Sequence, residues 1–159
     1  MSFIEQKVPH VGDLVRVRRK QGYAHFGIAV APDRVVHFTG AEGDLSKDSG
    51  GIMVRETSLS LFLQNDVLEV ENTCKSPFKP EEIVDRARKF VGSTKFRNMS
   101  YNFITNNCEH FARYVYSGKA RCYQVRKGVV AAGATAAVVA AGVVTKAVVN
   151  AVKTATKKK

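Results

Sequence analysis

The sequence predicts a domain with short strands in its first half and helices in its second half. Between residues 13 and 71, apolar residues alternate or form short continuous runs, which is typical of strands. From residue 80 onward, apolar residues recur at helical spacing behind helix-start signals. With 159 residues, 45% of them hydrophobic, the chain is long enough for one domain and a tail.

The strand segments are short and bounded by turn residues such as Pro32 and Asp33. Residues 39–51 are rich in Gly, Asp and Ser and are predicted to form a loop. Residues 58–64 fit either a short helix or a strand. The predicted strands cover residues 13–18, 24–31, 34–38, 52–56 and 67–71.

The first predicted helix covers residues 80–91. Pro80 lies in its first turn together with two glutamates, and Gly92 follows its last residue. Residues 93–105 are polar and aromatic and are interpreted as a connection.

The second predicted helix, over residues 109–116, begins directly after Cys108. Asn106 or Asn107 is a suitable N-cap, and Gly118 is a suitable stop. A thiol in the first turn lies near free backbone N–H groups and the positive end of the helix dipole. Both favour the thiolate, which is the nucleophilic form of cysteine.

Two histidines, His25 and His37, lie upstream in strand-like surroundings. We expect them to meet Cys108 in one site, with His25 as general base and His37 orienting it. Their strands must present both side chains on one face. The connection between those strands must therefore have three or five residues, or contain a bulge.

Each of these residues also has an ordinary structural interpretation. Cys108 could be a buried structural thiol, and either histidine could be a core residue bonded to a carbonyl. Two histidines and a cysteine could also bind a metal, but a thiolate at a helix start explains the set without a metal or cofactor.

The remaining candidates are weaker. The Tyr23 hydroxyl could face a developing oxyanion or could be a surface aromatic. His110 lies about 200° around the helix from Cys108 and is predicted to pack or hydrogen-bond. His10, Cys74 and Cys122 are predicted to be bystanders.

The charge is +11 and unevenly distributed: residues 128–159 contain five lysines and no acid. No zinc-finger pattern or aromatic-studded basic strand supports nucleic-acid binding. The odd cysteine count, without a CxxC pair, favours a reducing compartment such as the cytoplasm. The sequence does not start with an apolar run, so no secretory signal is predicted.

The charge-free residues 128–145 would span about 27 Å as a helix. They are rich in Ala, Val and Gly, and lysines follow at helical spacing. The tail is predicted to be an apolar helix that spans a membrane or lies on its surface. The alternative is an ordinary core helix with a solvated lysine end. The predicted division is therefore a domain over residues 1–127 and a tail over 128–159.

The chain resembles the lecithin:retinol acyltransferase-like family, within the NlpC-type permuted papain-like group. The matching motifs occur in family order over roughly residues 9–126, and the closest subgroup is the small phospholipase A/acyltransferases. These motifs are the Gly-Asp-Leu-Val run from Gly12, YAHFGIAV with His25, VVHF with His37, and NCEHF with Cys108. Phe26 departs from the tryptophan common in that subgroup, and the tail is unusually rich in alanine.

The resemblance implies an α+β fold in which an antiparallel sheet carrying both histidines packs on the Cys108 helix. It implies that Cys108 takes an acyl group from a glycerophospholipid as a thioester, which water or an amine then removes. His25 would be general base and acid, His37 would support it, and Tyr23 is a possible oxyanion donor beside the Cys108 N–H. The tail would associate with a membrane surface.

Two other functions share these motifs. One is a cysteine peptidase or deubiquitinase of another permuted papain-like group, with the same triad and a peptide acyl donor. The other is a non-catalytic module like the viral His-box and Asn-Cys-box proteins. The apolar tail favours lipid over peptide, and the three residues together favour chemistry over binding alone.

Overall fold

The computed structural model describes residues 8–41, 43–44, 51–72, 74–102 and 107–121. The strands in these ranges are β1 (Leu14–Arg18), β2 (Ala24–Ala31), β3 (Arg34–Thr39), β4 (Met53–Ser58), β5 (Leu68–Val70), β6 (Lys95–Phe96) and β7 (Met99–Ser100). The helices are α1 (Leu59–Leu63), α2 (Pro80–Arg88) and α3 (Cys108–Ser117). The first five strands form an antiparallel sheet in the order β4-β3-β2-β1-β5, and β6 pairs with β7. The predicted α+β class and antiparallel sheet are confirmed.

The two faces of the sheet bury different cores because successive strand residues point to opposite sides. One face packs on α2 and α3, and its core includes Leu14, Phe26, Ile28, Val36, Phe38, Ile83, Ala87, Phe111, Ala112 and Val115. The other face packs on α1, and its core comprises Val15, Val17, Ala29, Val35, Phe62, Leu63 and Leu68. His25 and His37 lie on this second face, with their rings 5.5 and 5.2 Å from the Phe62 ring.

The turn between β2 and β3 determines that both histidines share this face. Ala29 pairs with Val35, whereas Ala31 pairs with Arg34, so the register shifts and Val30 is the extra residue of a β-bulge. The turn itself has two residues, which alone would have placed the histidines on opposite faces. The predicted requirement for a bulge or a longer connection is therefore met by the bulge.

Gly27 lies two residues after His25 in β2, and its surroundings leave no room for a side chain. A Cβ there would lie 2.5 Å from Val35 Cγ1 and 3.0 Å from Phe62 Cε2. Glycine thus lets the Phe62 ring approach the sheet beside both imidazoles.

Several element boundaries differ from the predictions. Residues 59–63 form a helix, capped by the Ser58 hydroxyl, which settles the ambiguity over 58–64. The first long helix ends at Arg88. The residues after it form tighter turns, and Gly92 then adopts φ +86°. The predicted connection over 93–105 contains the β6–β7 hairpin, whose turn residues Arg97 and Asn98 both have positive φ.

The predicted apolar helix in residues 128–159 lies outside the described residues, as do Asn106 and Cys122. Within the described ranges, no helix has both the length and the apolar character needed to cross a membrane.

Candidate active site

His25 and His37 lie side by side on one face of the sheet. Nε2 of His25 lies 2.8 Å from Nδ1 of His37, and both side chains are buried beneath α1. Nε2 of His37 lies 2.8 Å from the Thr57 hydroxyl oxygen, which is on the neighbouring strand β4. The pairing of β2 with β3 and of β3 with β4 therefore builds a His25–His37–Thr57 chain across the sheet.

The hydrogen-bond directions along this chain follow from Thr57. When its single hydroxyl proton goes to the Ser58 carbonyl, 3.3 Å away, its oxygen accepts from Nε2–H of His37. His37 then accepts at Nδ1 the proton that Nε2 of His25 donates. In this arrangement the remaining nitrogen, Nδ1 of His25, carries a lone pair, and this buried atom has no hydrogen-bond partner among the described residues.

A carboxylate and a guanidinium stand beside the imidazole pair. Asp44 Oδ1 lies 3.5 Å from His25 Nε2, and Tyr23 donates its hydroxyl to Asp44 Oδ2 at 2.9 Å. Arg19 holds Asp44 with two bonds, from Nε to Oδ2 at 2.6 Å and from Nη2 to Oδ1 at 2.9 Å. Arg19, His25 and Asp44 are each 6% exposed or less, so this group is shielded from water.

Burial keeps both imidazoles neutral at physiological pH. It lowers the pKa of His25 from 6.5 to about 4, although the Asp44 charge acts in the opposite direction. Burial, reinforced by the neighbouring His25, also lowers the pKa of His37 well below 6.5. A neutral His25 is the form that can accept a proton.

Cys108 is the first residue of α3, as the cap pattern predicts. Asn107 is the N-cap, and its Oδ1 accepts from the backbone N–H groups of Glu109 at 3.0 Å and His110 at 3.1 Å. Gly118 ends the helix in the left-handed conformation. The Cys108 thiol therefore lies at the positive end of a capped, ten-residue helix.

Two tyrosines associate with the Cys108 thiol. The Tyr101 hydroxyl is hydrogen-bonded to Cys108, and its pKa is raised well above 10 by burial and then by the charge of the thiolate form of Cys108. Burial, with Asp44 and more weakly Cys108, raises the pKa of Tyr23 as well. Tyr23 is thus in electrostatic range of the thiol while its hydroxyl bonds to Asp44.

The other candidates occupy structural positions. The side chain of His10 is exposed beside Asp13. His110 belongs to the helix cap, because its Nδ1 lies 3.0 Å from Asn107 Oδ1, in agreement with the predicted hydrogen-bonding role. Cys74 is a half-buried free thiol, 3.9 Å from the Arg113 guanidinium. Among the described residues, no group of three or more His, Cys, Asp or Glu could hold a metal ion.

Sequence reasoning missed Asp44, Thr57 and Tyr101. Asp44 lies in a predicted loop and is held there by a side chain 25 residues away. Thr57 is found only through the β3–β4 register, in which it pairs with Val35, two residues before His37. The one sequence signal for Tyr101 is its position shortly before the cysteine helix.

The family model described as lecithin retinol acyltransferase matches residues 7–121, which is most of the chain. The chain belongs to this family. The match includes both histidine strands and the Cys108 helix, and it confirms the family that the motifs indicate.

Curated relatives match about four-fifths of the chain. The human protein named phospholipase A and acyltransferase 2 is 32% identical over 144 residues, which cover 84% of this chain and 86% of the relative. The human phospholipase A and acyltransferase 4 is 29% identical, with 81% and 82% covered. Phospholipase A and acyltransferase 3 of Pongo abelii is 30% identical, with 79% and 82% covered.

Proposed function

We propose that this protein is a thiol-dependent phospholipid acyl hydrolase and acyltransferase that forms an acyl thioester on Cys108. The relatives support an enzyme of the acyltransferase or phospholipase class. The observation that carries the mechanism is the buried Nδ1 of His25, which has no hydrogen-bond partner in the described part of the chain, while the other nitrogen bonds to His37. A core histidine would satisfy both nitrogens, whereas a general base needs one lone pair open.

The first half-reaction moves an acyl group from lipid to protein. The Cys108 proton passes to Nδ1 of His25, and Sγ attacks the carbonyl carbon of a glycerophospholipid ester. The C–O bond to glycerol then breaks, and His25 returns the proton to the departing oxygen. A lysophospholipid leaves, and the acyl group remains on Sγ.

The tetrahedral intermediate needs donors for its oxyanion. The backbone N–H of Cys108 at the start of α3 is one donor. The Tyr101 hydroxyl, which already contacts Cys108, is a better-placed second donor than Tyr23, whose hydroxyl proton is donated to Asp44.

The second half-reaction removes the acyl group. His25 takes a proton from water or from a primary amine, which attacks the thioester carbonyl. The C–S bond breaks, and the proton passes to Sγ, which restores Cys108. Water gives a fatty acid and an amine gives an amide, and this scheme needs no metal or cofactor. His37 holds His25 through the Nε2 hydrogen bond.

We also propose that residues 128–159 bring this domain to a membrane surface on the cytoplasmic side. An apolar stretch followed by lysines suits an anionic bilayer surface. Deleting residues 128–159 should abolish co-sedimentation with phosphatidylcholine/phosphatidylserine vesicles without changing the thermal unfolding of the domain. Retained co-sedimentation, or unfolding on truncation, would contradict this role.

Intact mass after incubation with a short-chain phosphatidylcholine tests the reaction. The wild type should gain one acyl mass that hydroxylamine removes, and Cys108→Ser should gain none. Cys74→Ser is the matched control, because it removes a free thiol outside the proposed site, and it should still be acylated. A hydroxylamine-labile adduct on Cys108→Ser, or none on the wild type, would refute the proposal.

A further inference from the structure

Asp44 occupies a position that the proposed Cys-His-His mechanism does not use. It is 5% exposed and lies within 3.5 Å of the His25 nitrogen that bonds to His37. Asp44 also receives two hydrogen bonds from Arg19 and one from Tyr23. Burying an ionised carboxylate costs free energy unless a cation pairs with it. Arg19 is that cation for Asp44, and one face of the Asp44 carboxylate is still directed at His25.

We propose that Asp44 is a positioning residue that fixes the tautomer of His25, so that Nε2 carries the proton and Nδ1 is free to act as the base. This rests on the proposed function, because it assigns a task to a residue beside the same base. The acid acts through His25 and does not touch the substrate.

The argument follows from donor and acceptor capacity. An ionised carboxylate only accepts hydrogen bonds, so Asp44 Oδ1, 3.5 Å from Nε2 of His25, favours the proton on that nitrogen. His37 alone does not enforce this, since a neutral imidazole can donate or accept at Nδ1 depending on its own tautomer. Thr57, which bonds to His37, and Asp44, which faces His25, therefore favour the same tautomer of His25.

Arg19 keeps Asp44 in place. The guanidinium also donates to the backbone carbonyls of Phe62 and Leu63, at 2.7 and 2.8 Å, and to Asp66 at 3.0 Å. These bonds fix Arg19 to the end of α1. Arg19 thereby holds the Asp44 carboxylate facing His25.

The titratable groups acting on His25 come from several elements. Asp44 favours its charged form and Arg19 opposes it. His37 bonds to it directly from β3, and Arg55 on β4 acts on His37 in turn. Since Asp44 alone of these stabilises the imidazolium, removing its charge should lower the pKa of His25 further.

Asp66 provides a matched control. Both Asp44 and Asp66 accept a hydrogen bond from Arg19, and only Asp44 contacts His25. In Asp44→Asn, the amide oxygen suits the position that accepts from Arg19 Nε and Tyr23. The amide N–H₂ then takes the place of Oδ1, where it faces His25 and loses the bond from Arg19 Nη2. That group would donate to Nε2 and move the His25 proton to Nδ1.

The test measures alkylation of Cys108 by iodoacetamide, resolved by peptide mass spectrometry, together with phospholipid turnover. Asp44→Asn should slow alkylation at neutral pH and lower kcat about 10- to 100-fold with KM unchanged. The acid limb of its pH profile should move to lower pH. Asp66→Asn should change kcat less than about 2-fold, as expected of a surface-accessible partner. Equal effects of the two variants would show that Asp44 only holds Arg19.

His25→Ala separates this proposal from the proposed function. If His25→Ala slows alkylation and Asp44→Asn does not, only the role of Asp44 fails. If His25→Ala leaves alkylation unchanged, the general base itself is wrong. The full-length wild type gives a test free of folding defects: imidazole ¹⁵N shifts should show His25 protonated at Nε2, and protonation at Nδ1 would overturn the proposal.

Discussion

Among the described residues, two charged clusters are largely buried, and they differ in one respect. The histidine cluster contains Arg19, His25, His37 and Asp44, and the α3 ion-pair cluster contains Arg16, Glu71, Glu109 and Arg113. In the α3 ion-pair cluster, Arg113 bonds to Glu109 at 2.8 Å and to Glu71 at 3.4 Å, and Arg16 bonds to Glu71 at 2.9 Å. In the histidine cluster, Nδ1 of His25 has no hydrogen-bond partner among the described residues.

The buried charges of the α3 ion-pair cluster have a structural role, whereas those of the histidine cluster surround the proposed base. Both clusters contain equal numbers of formal positive and negative charges when the histidines are neutral. The ion-pair cluster uses its charges to hold α3 to β1 and to the chain after β5. In the histidine cluster, one nitrogen has no partner within the described ranges, at a cost in stability that a purely structural cluster has no reason to bear.

The largest expected effect is on turnover, from His25→Gln. It removes the base without introducing a charge, so turnover should fall about 10²- to 10⁴-fold. The free energy of unfolding should change less than in any variant that leaves an ion of the α3 cluster unpaired. Phospholipid turnover and urea unfolding measure the two effects. A variant with normal turnover would remove the distinction between the clusters.

Arg113→Met tests the structural role of the α3 ion-pair cluster. It leaves Glu109 buried without the guanidinium at 2.8 Å, so unfolding should become easier by about 3–5 kcal/mol. Urea unfolding measures this loss. The turnover of the remaining folded protein should stay close to that of the wild type.

Arg18→Met is the control for Arg113→Met, because Arg18 pairs with Glu69 from a 68% exposed side chain. Its cost should be at most about 1 kcal/mol. If the two arginine variants lose the same stability, burial of the Arg113 cluster has no energetic consequence.

The sequence anticipated local features of both clusters and missed their partners. The caps of α3 and the strands that carry the histidines depend on residues close in sequence, so the sequence pattern was sufficient to predict them. Glu109 and Arg113 are four residues apart, a spacing typical of an exposed helix pair, yet they are 0% and 4% exposed. Which helix face is covered depends on tertiary packing.

Asp44 shows the same limit in the histidine cluster. A Gly-rich, Asp-rich stretch predicts a loop, and nothing within it indicates that Arg19 binds one of its acids. The β6–β7 hairpin was missed for a local reason: its turn has Arg97 and Asn98 at positive φ, and arginine is not a residue that indicates such a turn.

The pH dependence of stability distinguishes the clusters more finely. An unfolded histidine takes up its proton near pH 6.5, whereas the pKa of buried His25 is about 4. Between these values the folded state binds fewer protons, so stability falls as the pH drops from 6.5 toward 4, by up to about 1.4 kcal/mol per pH unit.

Urea unfolding from pH 6.5 to 5.0 measures that slope. His25→Gln should make it shallower, and His10→Gln, which changes an exposed histidine, should not. The buried His37 should maintain part of the slope in His25→Gln, because its pKa is also depressed. An unchanged slope in His25→Gln would mean that His25 is charged in the folded protein.

The last expected effect is at Asn107, the N-cap of α3. Its side chain caps the helix that begins with Cys108 and continues into Glu109 and Arg113. Asn107→Ala should cost about 1 kcal/mol of stability through the lost cap and should slow Cys108 alkylation, because a frayed first turn no longer stabilises a thiolate. Asn107→Ser, which retains a capping oxygen, should recover both. If Asn107→Ser recovers stability but not alkylation, the Cys108 thiolate depends on a property of Asn107 other than the cap. The reactivity of Cys108 would then not follow from a well-ordered helix start alone.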